Sequence, residues 1–131
     1  MTTQAMIRDL DVGKFFDDWA DALASRDPER LAALYAPDAI LLPTLSNVLR
    51  RNTVEIAAYF HEFMLGGPEA RVLEGIVRLM GDVAVHSGIY RFTMTAMEGR
   101  PEIDARFTFV YERRDDDWKI VAHHSSVMPA A

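Results

Sequence analysis

At Gly66-Gly67 the rhythm of the chain changes. Before that pair, apolar residues recur three and four positions apart; from Arg71 onward they recur every second position. A chain written this way folds as helices first and strands afterwards, and strands separated by only a few residues run antiparallel. In the first half, Phe15, Phe16, Trp19, Ala20 and Leu23 mark one side of a helix whose other side carries Asp17, Asp18 and Asp21. Asp27-Pro28-Glu29 is an N-cap followed by proline at the first helical position. It opens a short second helix through Leu31, Leu34 and Tyr35, which Ala36-Pro37 closes. The segment Asp38 to Thr44 carries the run Ala39-Ile40-Leu41-Leu42 between two prolines, the length and flanks of a first strand at a sheet edge. Asn52 and Glu55 have the spacing of a capping box, and Ile56, Tyr59, Phe60, Phe63 and Met64 follow on one face of a third helix that the two glycines end.

Four further strands are expected over Arg71 to Met80, Val83 to Met97, Ile103 to Glu112 and Trp118 to Met128. Their separators are Gly81-Asp82, Glu98-Gly99-Arg100-Pro101 and Asp115-Asp116-Asp117, each short enough for a hairpin. The fold class is therefore α+β: N-terminal helices packed on a curved, mainly antiparallel sheet that wraps a cone with a pocket. A chain of 131 residues, half of them apolar, suits one domain over 1–131, with the first ten or so residues a flexible arm.

Composition removes several functions. Without cysteine there is no thiol catalysis, iron–sulfur ligation or thiolate zinc. With 14 Lys and Arg against 20 Asp and Glu, the net charge of −6 offers no field for nucleic acid or an anionic membrane. The opening MTTQAMIRDLDVG has no signal-peptide core, and no segment nears the roughly 18 apolar residues of a membrane span. We therefore expect no nucleic-acid or membrane partner and a cytoplasmic setting. His61, His86, His123 and His124 stand at no metal-ligand spacing, and the glycines form no phosphate-binding loop, so neither a metal nor a cofactor is expected.

What remains is cationic and aromatic. On the fourth of the five strands, Arg106, Thr108 and Val110 share one face and Phe107, Phe109 and Tyr111 the other. Pointing into the mouth of the cone, the Arg106 guanidinium suits a carboxylate or phosphate; pointing outward, it pairs with Asp104 or another acidic side chain. Arg91, between Tyr90 and Phe92, needs a ligand or an ion-pair partner for the same reason. On the last strand, a strict period of two groups Trp118, Ile120, Ala122, His124 and Ser126 against Lys119, Val121, His123 and Ser125. We expect His124 to face the pocket, because its face begins with the more apolar pair. There it donates to a ligand or shuttles a proton near pH 7, with Tyr90 as a catalytic partner, or else it is a core or interface histidine satisfied by a carbonyl.

The stretches Tyr59-Phe60, Leu79-Met80-Gly81-Asp82, Val110 with Arg113-Arg114-Asp115 and Trp118, and His124 with Ser126 resemble the calcium/calmodulin-dependent protein kinase II association domain and its stand-alone bacterial relatives. That family lies in the nuclear transport factor 2-like (SnoaL-like) superfamily of cystatin-like cones, and the resemblance spans nearly the whole chain. It implies self-association and a cone lined by strand arginines. The first of these falls on Arg91 and the second on Phe109, with Arg106 the nearest replacement; the family's third-helix histidine corresponds to Ile56, and His124 is retained. No kinase accompanies the domain, so phosphotransfer and calmodulin binding are not implied. The carboxylate base of ketosteroid isomerase is also missing, since the matching region reads Leu41-Leu42-Pro43-Thr44. The expected function is a homodimeric pocket domain that takes a small acidic or polar-aromatic ligand through Arg106, Arg91 and His124, with Tyr59 and Trp19 beside them. The alternatives are an isomerase, dehydratase or cyclase, or an oxidoreductase-associated biosynthetic protein, working by general acid and base, and a pure oligomerisation module.

Overall fold

The computed structural model describes residues 7–130. Helix α1 spans Asp9–Ala24, starting where the Arg8 amide donates to Asp11 Oδ2 at 2.9 Å. Of the expected N-terminal arm, residues 1–6 lie outside the described residues, whereas Asp9 and Leu10 already belong to α1. Val12, Phe16, Trp19 and Leu23 form its buried stripe. Asp27 caps α2 (Pro28–Ala32) by accepting from the Arg30 amide at 3.2 Å, and Asn52 caps α3 (Thr53–Phe63) by accepting from the Glu55 amide at 2.9 Å. A single 3₁₀ turn, Met64–Gly66, ends at Gly67, whose φ of 63° stops the helix where the glycine pair predicts.

Between the helices runs β1 (Tyr35–Leu42), and β2 (Pro68–Met80), β3 (Val83–Met94), β4 (Glu102–Arg114) and β5 (Asp117–Val127) follow. The five form one sheet in the order β1-β5-β4-β3-β2, antiparallel except where β1 runs parallel to β5. The second helix, expected to run through Tyr35, stops at Ala32, and β1 already begins at Tyr35 and contains the Pro37 expected to close that helix. The proline lies on an edge strand, in the stretch where pairing with β5 is irregular between Tyr35 and Ile40, so its missing N–H breaks no ladder. β3 ends at Met94, short of the expected Met97, because the Thr95 and Ala96 amides turn away to the Gly67 and Gly66 carbonyls. At the opposite hairpin Asp115 and Asp116 both take positive φ, 49° and 69°, as a two-residue turn matched to the strand twist requires.

The inner face of the sheet is aromatic. Tyr90 and Phe92 of β3, Phe107, Phe109 and Tyr111 of β4, and Ile120 and His123 of β5 are buried against Phe16 and Trp19 of α1 and Phe60 and Phe63 of α3. β2 carries an extra residue, Leu73, opposite β3, a bulge of the kind that bends a sheet. Glycines make that bend possible: a Cβ on Gly88 would lie 1.9 Å from the Glu74 carbonyl oxygen, and one on Gly75 2.6 Å from His86 Nε2.

A second irregularity decides which side chains face inward. Tyr111 pairs with Ile120 and Val110 with Ala122, so β5 has one residue, Val121, with no counterpart on β4. This bulge reverses the alternation beyond it. His123 points inward with 2% of its surface exposed, while His124 lies on the outer face and is exposed. The expected inward orientation of His124 is corrected accordingly.

Candidate functional site

Bulge-shifted His123 anchors a closed polar network in the middle of the aromatic core. Trp19 Nε1 donates to Tyr35 Oη at 3.0 Å, Tyr35 Oη lies 2.8 Å from His123 Nδ1, and Tyr90 Oη lies 3.1 Å from His123 Nε2. A neutral imidazole has one donor and one acceptor nitrogen, so one phenol accepts from the ring and the other donates to it. Phe109 stacks on the ring at 4.0 Å, and Trp19 meets it edge-on at 5.5 Å. Burial, with a smaller push from the neighbouring His124, drives the His123 pKa down to about 3. Burial also raises the Tyr90 phenol, against the opposing effect of the Ser125 and Thr44 hydroxyls. Trp19, Tyr35, Tyr90 and His123 are all buried, so this chemistry holds the core together and has no access to substrate.

The site residues expected from the sequence do not converge. Arg106 and His124 are exposed on the outer face. Arg91 is occupied: Nε and Nη2 donate to Asp104 at 2.7 and 3.0 Å, and Glu102 lies 3.5 Å from Nη1. Asp104, the acidic partner expected for an outward Arg106, is thereby taken by Arg91. Tyr59 is on α3, where its hydroxyl accepts from the Leu45 amide at 3.3 Å and the Arg50 guanidinium sits 5.1 Å from its ring centroid, beside a separate surface cleft. Trp19 and Tyr90 do face inward, but as core. His124 and Tyr90 stand on opposite sides of the sheet, which separates the expected acid–base pair.

What the sequence reading missed is a cleft of about 850 Å³ between α1 and the bent β2. Its wall includes Phe16 from α1, Ala70 and Val72 from β2, and His86 from β3, while Lys14 and Arg71 bring positive charge to it and Asp9 and Asp17 negative charge. His86 is 6% exposed, packs edge-on against Phe107 at 5.1 Å, and its Nδ1 has no hydrogen-bond partner. Burial lowers its pKa, so the ring is neutral at pH 7 and presents a donor or an acceptor as its tautomer dictates. The sequence signal for it was parity: His86 shares the face of Ala84, Tyr90 and Phe92 on β3. Among the described residues no group of three His, Asp or Glu side chains is placed to hold a metal.

A cystatin-like sheet wrapped over helices, with a cleft at one end of its inner face, defines the class of this protein, and comparison with known proteins names the family. Residues 8–129 match the family model of the calcium/calmodulin dependent protein kinase II association domain, and the chain belongs to that family. It is similar to a Xanthomonas campestris protein whose name assigns it to the same association domains, with 42% identity over 100% of this chain and 95% of the other and a TM-score of 0.91. An NTF2-like protein of unknown function from Pseudomonas putida shares the fold at 20% identity, over 90% of this chain and 84% of that one, with a TM-score of 0.78. So does a cystatin-like protein of unknown function from Nostoc punctiforme, at 16% identity over 98% and 97%, also with a TM-score of 0.78. No curated protein sequence matches the chain. Among the described residues no helix is long and apolar enough to cross a membrane.

Proposed function

We propose that this chain is a self-associating pocket domain of the cytoplasm: a second copy covers the outer sheet face, and the cleft under α1 takes a small polar-aromatic or acidic molecule. The observation that carries the pocket is the buried, unpartnered Nδ1 of His86 in the cleft wall. A buried polar atom left without a partner costs about 1–3 kcal/mol, and a ligand that completes the bond recovers it. Phe16 supplies a ring for an aromatic ligand, and Lys14 and Arg71 supply charge for its carboxylate.

Self-association is supported by the outer face. Cross-strand register sets Ile40, Ala122, Val110 and Val85 side by side across four strands, with Leu42, His124, Thr108 and Ser87 in the row beside them. Ile40 and Leu42 are more than two-fifths exposed. A contiguous apolar row on a sheet face needs cover, and the family is described as an association domain. In this reading Arg106 and His124 border the interface.

The pocket is tested by thermal stability of the wild type and His86→Phe with benzoate, phenyl phosphate and phenol. A saturable rise with at least one of them in the wild type, lost in the variant, is expected. No rise with any of the three, or an equal rise in His86→Phe, overturns it. Sedimentation of Val110→Glu tests the face: the wild type should run as a dimer or larger and the variant as a monomer. An unchanged mass removes that face from the assembly.

A further inference from the structure

On the other side of α1 from the His86 cleft, a notch of about 300 Å³ opens between α1 and the β4–β5 hairpin. Three rings line it: Phe15 sits 5.1 Å from Tyr111 and 5.9 Å from Trp118, centroid to centroid. Leu34 and Ile120 add apolar wall, and every charged residue in the lining is acidic, with Asp18 on α1 and Asp117 on the hairpin, and no Lys, Arg or His among them. Tyr111 is 2% exposed, yet its hydroxyl has no hydrogen-bond partner. We propose that this notch binds an alkylammonium group, which donates an N–H to Tyr111 Oη, packs its charge against the Phe15 and Trp118 rings and finds its counter-ion in Asp18.

Each part of the notch selects the same chemistry. Ring faces carry the negative lobe of the aromatic quadrupole and attract cations, most strongly when water is partly displaced. Carboxylates around the rim repel anions, and a purely apolar group would leave the phenol as unsatisfied as before. Burial raises the Tyr111 phenol well above its ordinary range and the Asp18 carboxylate adds to that rise, so the hydroxyl keeps its proton and its oxygen lies within reach of the Asp18 field. A primary ammonium satisfies oxygen, carboxylate and rings together. The volume admits the head of such a group with a short alkyl stem, as presented by a free amine or by a lysine side chain of a second copy.

The test uses the full chain and follows Trp118 emission at fixed ionic strength while n-butylammonium or tetramethylammonium chloride replaces sodium chloride. Saturation by butylammonium in the millimolar range is expected, with tetramethylammonium, which lacks an N–H, several-fold weaker. Asp18→Asn should weaken both by about fivefold. Tyr111→Phe should erase the difference between the two cations while keeping the ring and the fold. No saturation by butylammonium up to about 100 mM, far above the millimolar constants of a weak specific site, overturns the proposal. So does wild-type binding by both variants. Sedimentation during the same titration separates the two sources: dissociation of the assembly identifies the ammonium as a neighbouring copy's lysine, and an unchanged mass identifies a free amine.

Discussion

The His123 network and the two cavities beside α1 use the same residue types on the inner sheet face to opposite effect. In the network, His123 and its two phenols are joined within hydrogen-bond distance, and Trp19 completes the chain. At the cavities, His86 and Tyr111 are also buried but keep an unpartnered polar atom, and each lines a cavity. Polar groups that find partners inside a core fix its arrangement, whereas those left open beside a cavity are held ready for something else. Residue type and burial do not separate His123 from His86, the histidine proposed to meet a ligand. Completeness of hydrogen bonding does.

The contrast is breakable by measurement. The largest effect belongs to His123→Ala, which removes a ring packed by Phe109 and Trp19 and strips partners from two buried phenols. We expect a loss of about 3–5 kcal/mol and a fall in Tm of about 10–20 °C. A loss comparable to a surface substitution would mean that the network is not the keystone of the core.

The next effect is pH dependence. With a folded-state value of about 3 against an ordinary 6.5, folded His123 refuses a proton that the unfolded chain accepts. Its contribution is complete above pH 6.5 and is lost progressively as pH falls toward 3. Denaturant unfolding should therefore show stability falling as pH drops below 6.5, with a slope from this residue alone that approaches one proton's worth, about 1 kcal/mol per pH unit, by about pH 5. The lowered His86 value adds in the same direction. His123→Gln, which keeps a donor and an acceptor but does not titrate, should flatten the slope; an unchanged slope would remove His123 as its source.

Smaller still is Tyr90→Phe, which leaves one imidazole nitrogen unpaired and should cost about 1–3 kcal/mol in chemical denaturation. Tyr111→Phe is its counterpart and the smallest effect. With no bond to lose, it should lie within about 0.5 kcal/mol of the wild type or be slightly more stable. Equal losses from the two phenols would erase the distinction between the network and the notch.

Most elements could be read from the sequence because each is locally determined. The Asp27 and Asn52 caps, the Gly67 stop and the two aspartates of the last hairpin each act within a few residues. Pro37 was read correctly as an edge signal and incorrectly as a terminator, because an edge strand tolerates the missing amide. The site could not be read in the same way. In Ile120-Val121-Ala122 both parities are apolar, so one inserted residue leaves no trace in the pattern although it exchanges His123 for His124. Arg91 reads equally as a ligand-binding cation and as half of an ion pair, because its partner Asp104 lies 13 residues away across a hairpin. His86 was visible by parity but stood alone, and its cleft exists only because α1 and the bent β2 meet there.

The parallel pairing of β1 with β5 has a consequence for how the protein is made. Residues 35–42 are translated before the strand they must join, residues 117–127, with α3 and β2 to β4 made in between. Until then Leu41 and Ile40 have no neighbour on that edge, and the Tyr35 hydroxyl waits for an imidazole still being translated. Closure of the sheet is thus a late, non-local event, of the kind that slows folding and leaves an open edge to chaperones in the meantime.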